Sequence, residues 1–217
     1  YDCGIEGSAR IPMAQVTDYV SSVLALKEKY KDKINVHLGF ECEYLPTYFD
    51  KMLENVISWG AEYLILGQHF YEPEFPASYN WQHVIHKTDD ANRLIQYTSS
   101  VISAMKTGKF SYVAHPDMFN FVGDESVYKE QVERICELSK EMDIPLEINL
   151  LGIRDNRNYP NAKFWEVAGK VGCPVTMGSD AHSPNVVYCE NAVKTALKLI
   201  EKYNLKYVGM ARIIPLV

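Results

Sequence analysis

Six short apolar runs separated by longer amphipathic stretches constrain this 217-residue chain more than any other feature. The runs fall at residues 34–40, 63–66, 110–114, 145–149, 174–177 and 207–210, with strand length and many β-branched or aromatic residues. Helical patterns lie around them at 16–30, 47–59, 88–105, 126–142, 161–171 and 185–203. In the first, Val16, Tyr19, Val20, Val23, Leu24 and Tyr30 share one stripe, interrupted only by Lys27. Thr88 before Asp89 and Asp90, and Ser183-Pro184-Asn185, read as helix starts. Six strand–helix alternations imply a parallel sheet with right-handed crossovers, in one domain spanning residues 1–217. A closed barrel and an open doubly wound sheet both satisfy that pattern.

The polar residues able to bind metals decide between them, because they gather at strand C-terminal ends. Glu41 ends the run that begins at Ile34, and His69 follows the run from Tyr63. His115 follows Phe110–Ala114, with Pro116 and Asp117 behind it. Glu147 and Asn149 close the fourth run, and Asp180 and His182 follow the fifth. In a parallel barrel all strand C-termini meet at one face, where the active site lies, so residues distant in sequence converge. A mixed histidine and carboxylate cluster suits zinc, manganese or iron. The Asp-x-His spacing places both side chains on one side of an extended strand end. Taken singly, each has a plain alternative: a strand-end histidine as a satisfied loop residue, Glu41 and Glu43 as a solvated pair. His37, His83 and His86 read as structural or surface residues.

Net charge and cysteine usage narrow the partners. At −6, with no Lys/Arg block, the chain lacks the basic face that polymeric nucleic acid requires. A small anionic substrate remains compatible, because bound cations supply the positive field locally. No apolar run is long enough to cross a bilayer. Five scattered cysteines, an odd number without a C-x-x-C pair, point to a reducing cytoplasm rather than a disulfide framework.

Four segments resemble, in order and spacing, the metal-binding motifs of the polymerase and histidinol phosphatase (PHP) superfamily. They are Gly39-Phe-Glu41-Cys-Glu-Tyr44, Gly67-Gln-His69-Phe, His115-Pro-Asp117 and Gly178-Ser-Asp-Ala-His182. Residues 147–154, followed by Tyr159-Pro160, are similar to a segment of the histidinol phosphatase branch. The resemblance implies a distorted (β/α)7 TIM-like barrel holding two or three divalent metal ions. It implies Glu41, His69, His115, Asp180 and His182 as ligands, with Asp180, His182 and Arg154 acting on substrate. Arg154 would pair with the substrate phosphate, a task suited to a planar guanidinium, with Arg157 as a second candidate. Asp117 and Glu147 would orient ligating histidines from behind.

The sequence departs from that pattern at one point. Family members carry an H-x-H on the first strand and a further histidine after the second, and this sequence contains no H-x-H. The opening Tyr1, in place of Met, leads to the expectation that the first strand lies outside the sequence given. The implied activity is hydrolysis of a small phosphate monoester, L-histidinol phosphate, in histidine biosynthesis. Two alternatives stand beside it: another phosphomonoester or nucleotide as substrate, and a non-catalytic metal-binding barrel.

Overall fold

The sheet is built from consecutive strands laid side by side, all parallel, in the order of the chain. The computed structural model describes residues 11–71 and 83–217, so Cys3 lies outside the described residues. The strands are β1 (Gly39–Cys42), β2 (Tyr63–Leu66), β3 (Phe110–Val113), β4 (Leu146–Asn149), β5 (Pro174–Gly178) and β6 (Lys206–Tyr207). The helices are α1 (Val16–Tyr30), α2 (Pro46–Ser58), α3 (Ala91–Lys106), α4 (Glu125–Met142), α5 (Leu150–Arg154), α6 (Ala162–Val171) and α7 (Glu190–Tyr203). Adding every strand on the same side of the last puts each right-handed crossover on one face. That is the winding of a distorted (β/α) barrel, not of a doubly wound sheet, in which the strand order reverses. Six strands are described where the family resemblance implies seven, and β1 and β6 each pair with one described neighbour.

Strand periodicity sorts side chains onto two faces. Leu64, Leu66, Phe110, Val113, Leu146, Ile148 and Val175 are all 0–1% exposed and meet Val101, Met105, Cys136 and Trp165 from the helices. Each such aliphatic side chain contributes roughly 1.5–3 kcal/mol on burial. The other face carries Glu41, Tyr63, Tyr112 and Glu147, and the Tyr112 hydroxyl lies in the field of the remaining three. The sheet therefore has an oily side toward the helices and a polar side toward the barrel interior.

Helix ends follow local capping. The Asp90 side chain accepts from Asn92 N, Asp124 from Ser126 N, and Asn161 from Lys163 N. Helix α3 begins at Ala91 rather than Thr88, because Thr88 is extended and bridged to Phe121. The pattern at 185–203 divides into a short 3-10 turn at Pro184–Val186 and helix α7 from Glu190. The run at 34–40 forms strand only from Gly39, where β2 first offers a partner in Tyr63. The run at 207–210 stops pairing early, because Gly209 turns the chain away at φ 72°. Only Val16 of the α1 stripe is fully buried, and Tyr19 anchors the helix by donating to the Gly39 carbonyl at 2.7 Å.

Candidate metal centre

Glu41, His69 and His115 converge at the C-terminal ends of β1, β2 and β3. One ligand atom from each lies within 4.8 Å of the other two. His115 Nε2 stands 3.0 Å from Glu41 Oε1, and His69 Nε2 stands 3.6 Å from the same oxygen. Gly67 makes this possible: a methyl group there would land on the Glu41 carboxylate, which reaches across the end of β2. Burial by itself would raise the Glu41 pKa, but the His115 hydrogen bond and the charges of His115, His69 and His182 outweigh it and hold it low. Burial opposes a charge on His115, yet the Glu41 carboxylate raises its pKa.

These residues fit a divalent cation. A carboxylate with two imidazoles suits zinc, manganese or iron, and three protein ligands with an open position are the pattern of catalytic zinc. His115 Nδ1 is buried and has no hydrogen-bond partner among the described residues. The backbone is unusual at the same place. His115 (φ 32°) and Asp180 (φ 45°) both occupy the left-handed region, which non-glycine residues enter at a cost that functional sites commonly bear.

A chain of polar contacts ties the centre to β4 and β5. Glu147 Oε2 accepts from the His115 backbone N–H at 3.0 Å and from Asn149 Nδ2 at 3.0 Å. Asn149 Nδ2 also donates to Asp180 Oδ2 at 3.1 Å, while its Oδ1 caps α5 through Gly152 N. Gly178 accommodates Glu147 as Gly67 accommodates Glu41, since a methyl there would strike the carboxylate. Burial pushes the Glu147 pKa up to about 7, despite the nearby His115 charge and its hydrogen bonds.

The remaining expected residues take varied positions. Asp180 and His182 lie on the loop after β5, not on an extended strand end, because the left-handed Asp180 turns the chain. His182 is three-quarters exposed, and its Nδ1 contacts the Asp180 carbonyl at 3.1 Å. Neither belongs to the compact three-residue group. Arg154 ends α5, largely covered, with Nε on Asp155 at 3.2 Å and one terminal nitrogen buried without a partner among the described residues. Arg157 donates to the Tyr159 hydroxyl at 3.0 Å. Glu147 holds the backbone of His115, not its ring. Asp117 departs from the histidine-orienting role too: it accepts from Asn161 N at 2.6 Å and Trp165 Nε1 at 2.7 Å, fastening α6. Burial lifts its pKa to about 6.

Two further residues sit here that sequence reasoning passed over. Glu43 is not solvated: it is 3% exposed, and its Oε1 lies 2.9 Å from His69 Nδ1. The signal was its spacing of two residues from Glu41, just past the end of β1. The His83 ring packs edge-on against His69, centroids 5.5 Å apart, and burial holds its pKa down to about 4. His37, by contrast, is half-exposed and pairs with Glu62 at 2.9 Å.

No family model matches the chain. It is 25% identical over 190 residues to a "probable histidinol-phosphatase" of Deinococcus radiodurans, covering 82% of this chain and 69% of that one. A "probable histidinol-phosphatase" of Thermotoga maritima is 25% identical over 170 residues, covering 75% and 65%. The chain thus spans about two thirds of the length of these relatives. The crystal structure of histidinol phosphate phosphatase from Lactococcus lactis, complexed with zinc, L-histidinol and phosphate, superposes with a TM-score of 0.67 at 16% identity, over 94% of this chain and 78% of that one. The chain is thus similar in sequence to proteins named histidinol-phosphatase and similar in fold to the Lactococcus lactis enzyme, and it brings Glu41, His69 and His115 together where a metal ion could be held.

Proposed function

We propose that the chain is a metal-dependent phosphatase that hydrolyses a small phosphate monoester, L-histidinol phosphate, to L-histidinol and phosphate. The observation that carries this reading is the gathering of Glu41, His69 and His115 within 4.8 Å at one end of a parallel barrel. Two relatives carry the name histidinol-phosphatase, and the Lactococcus lactis structure holds zinc, L-histidinol and phosphate. Residues 1–217 act as one barrel domain in this reading, in a reducing cytoplasm that suits the free thiols of Cys136, Cys173 and Cys189.

A divalent cation held by Glu41, His69 and His115, with Asp180 and His182 extending the ligand set, would supply Lewis acidity and a hydroxide-like water near neutral pH. The protein does the rest. Arg154 directs its unmatched N–H at the phosphoryl group, where a guanidinium pairs with two oxygens at once. Arg157 lies beside it as a second cation. The oxygen of water forms a new bond to phosphorus as the ester P–O bond breaks, and the departing alkoxide takes up a proton. The Glu147–Asn149–Asp180 contacts keep these groups fixed, so little reorganisation accompanies the charge that develops on the phosphoryl oxygens.

The test combines elemental analysis with phosphate release from L-histidinol phosphate, for the unaltered chain and His115→Ala. Bound metal with turnover that collapses at least about a hundredfold in the variant is the expected result. Metal without turnover on this ester sends the assignment to another phosphomonoester. Neither metal nor turnover leaves a non-catalytic barrel.

A further inference from the structure

The His69 ring is held from behind by two acceptors. Glu43 Oε1 lies 2.9 Å from Nδ1 and the Gly67 carbonyl 3.1 Å from the same nitrogen. The Gly67 carbonyl can only accept, so Nδ1 must carry the hydrogen and donate it. The other ring nitrogen, Nε2, then faces Glu41 Oε1, 3.6 Å away. The Glu43 carboxylate also accepts from the His69 backbone N–H, at 3.1 Å to each oxygen. One buried side chain therefore grips the residue at its ring and at its main chain together.

The carboxylate itself is well fixed. Glu43 is 3% exposed, and the residue that follows it is tied to β2's extension, with Tyr44 N donating to Gln68 Oε1 at 3.0 Å. Gln68 in turn donates to the Phe70 carbonyl at 2.9 Å. The segments 43–44 and 67–70 are thus laced together on both sides of His69. His115 has no such support: its buried Nδ1 has no partner among the described residues, and Glu147 reaches only its main chain.

From this asymmetry we infer that Glu43 is the positioning residue of the metal centre, setting the tautomer and aim of His69 so that its Nε2 is ready for a divalent cation. The inference rests on the metal-centre reading above and adds to it a residue that acts through His69. A carboxylate behind a ligating imidazole raises its basicity beyond what a neutral carbonyl achieves, and losing such a partner typically costs 10–100-fold in metal affinity.

The test uses zinc ion alone as probe, with the full chain, in a double-mutant cycle. Zinc dissociation constants are measured by chelator competition for the unaltered chain, Glu43→Ala, His69→Ala and the double variant, with thermal melts confirming folding. Glu43→Ala should weaken zinc binding by about 10–100-fold, and by less than about threefold once His69 is already alanine. Glu43→Gln, which keeps an acceptor but loses the charge, should fall between the unaltered chain and Glu43→Ala, and serves if the alanine variant does not fold. An equal loss with and without His69, or no loss, overturns the inference. Nitrogen-15 spectra of the zinc-loaded chain read the tautomer directly: a hydrogen on Nδ1 supports it, and an Nδ1 without one overturns it. Neither readout depends on which ester is hydrolysed, and failure of the unaltered chain to bind zinc would overturn the metal-centre reading and this inference together.

Discussion

Glu147 makes the metal-free protein's stability depend on pH in a way that can be worked from its surroundings. Its carboxyl is 3% exposed, and burial pushes its pKa to about 7 from an ordinary value of 4.5. A folded-state pKa above the unfolded one means the native state holds its proton more tightly. The stabilisation is then complete below the unfolded value and lost as pH rises through the folded one. Each pKa unit corresponds to about 1.4 kcal/mol, so ionising Glu147 between about pH 5 and pH 8 removes on the order of 2–3 kcal/mol. Asp117, raised to about 6 from 3.8 by burial, has the same sign and adds on the order of 1–2 kcal/mol over that window. The assay is urea unfolding of chelator-treated protein at both pH values, for the unaltered chain and Glu147→Gln. The glutamine keeps an acceptor for His115 N, carries no titrating proton, and should flatten the pH dependence by about 2–3 kcal/mol. Equal slopes for the two proteins would refute the assignment of a raised pKa to Glu147.

Two substitutions test the packing around the centre. Gly67→Ala places a methyl on the Glu41 carboxylate, the mobile end of a side chain, so folding should survive while zinc affinity falls at least about tenfold; unchanged affinity in a zinc titration would contradict the placement of Glu41. Trp165→Phe removes the donor at 2.7 Å from Asp117 Oδ2 and part of a fully buried ring, and should cost roughly 2–4 kcal/mol in urea unfolding. A loss below about 1 kcal/mol would show that Asp117 does not depend on that bond.

The strand-end cluster of Glu41, His69 and His115 was legible in the sequence because parallel winding forces these residues to one face. Once β2 and β3 are recognised as strands, His69 and His115 follow their ends within a few residues, and Glu41 lies on the neighbouring strand. Side-chain direction was not legible where it turns on distant partners or backbone twist. The Asp117 carboxylate belongs to Trp165, 48 positions later, and no spacing near His115-Pro-Asp117 announces that bond. The Asp-x-His pair reads as extended, but the φ of 45° at Asp180 carries His182 outward to an exposed position. The five-residue helix α5 is too short to show helical periodicity. Its cap, Asn149, could be named as a strand-end amide, yet not as the bridge between Glu147 and Asp180.

Two glycines crowded by carboxylates, Gly67 and Gly178, suggest a rule that extends what the sequence offers. Gly67 follows β2 beside Glu41 of β1, and Gly178 ends β5 beside β4, where it pairs with Asn149 two residues after Glu147. Each carboxylate therefore lies across the end of an adjacent strand, at the position where that strand has no side chain. Neither glycine has a positive φ, so conformational freedom is not what places it there. Space is the remaining reason. A carboxylate that must project over the mouth of a barrel needs its neighbour to be bare, because both strands otherwise send a side chain into the same volume. Read this way, Gly67-Gln-His69 and Gly178-Ser-Asp180 each encode two things: the polar residue of their own strand, and the room occupied by the acidic residue of the strand before.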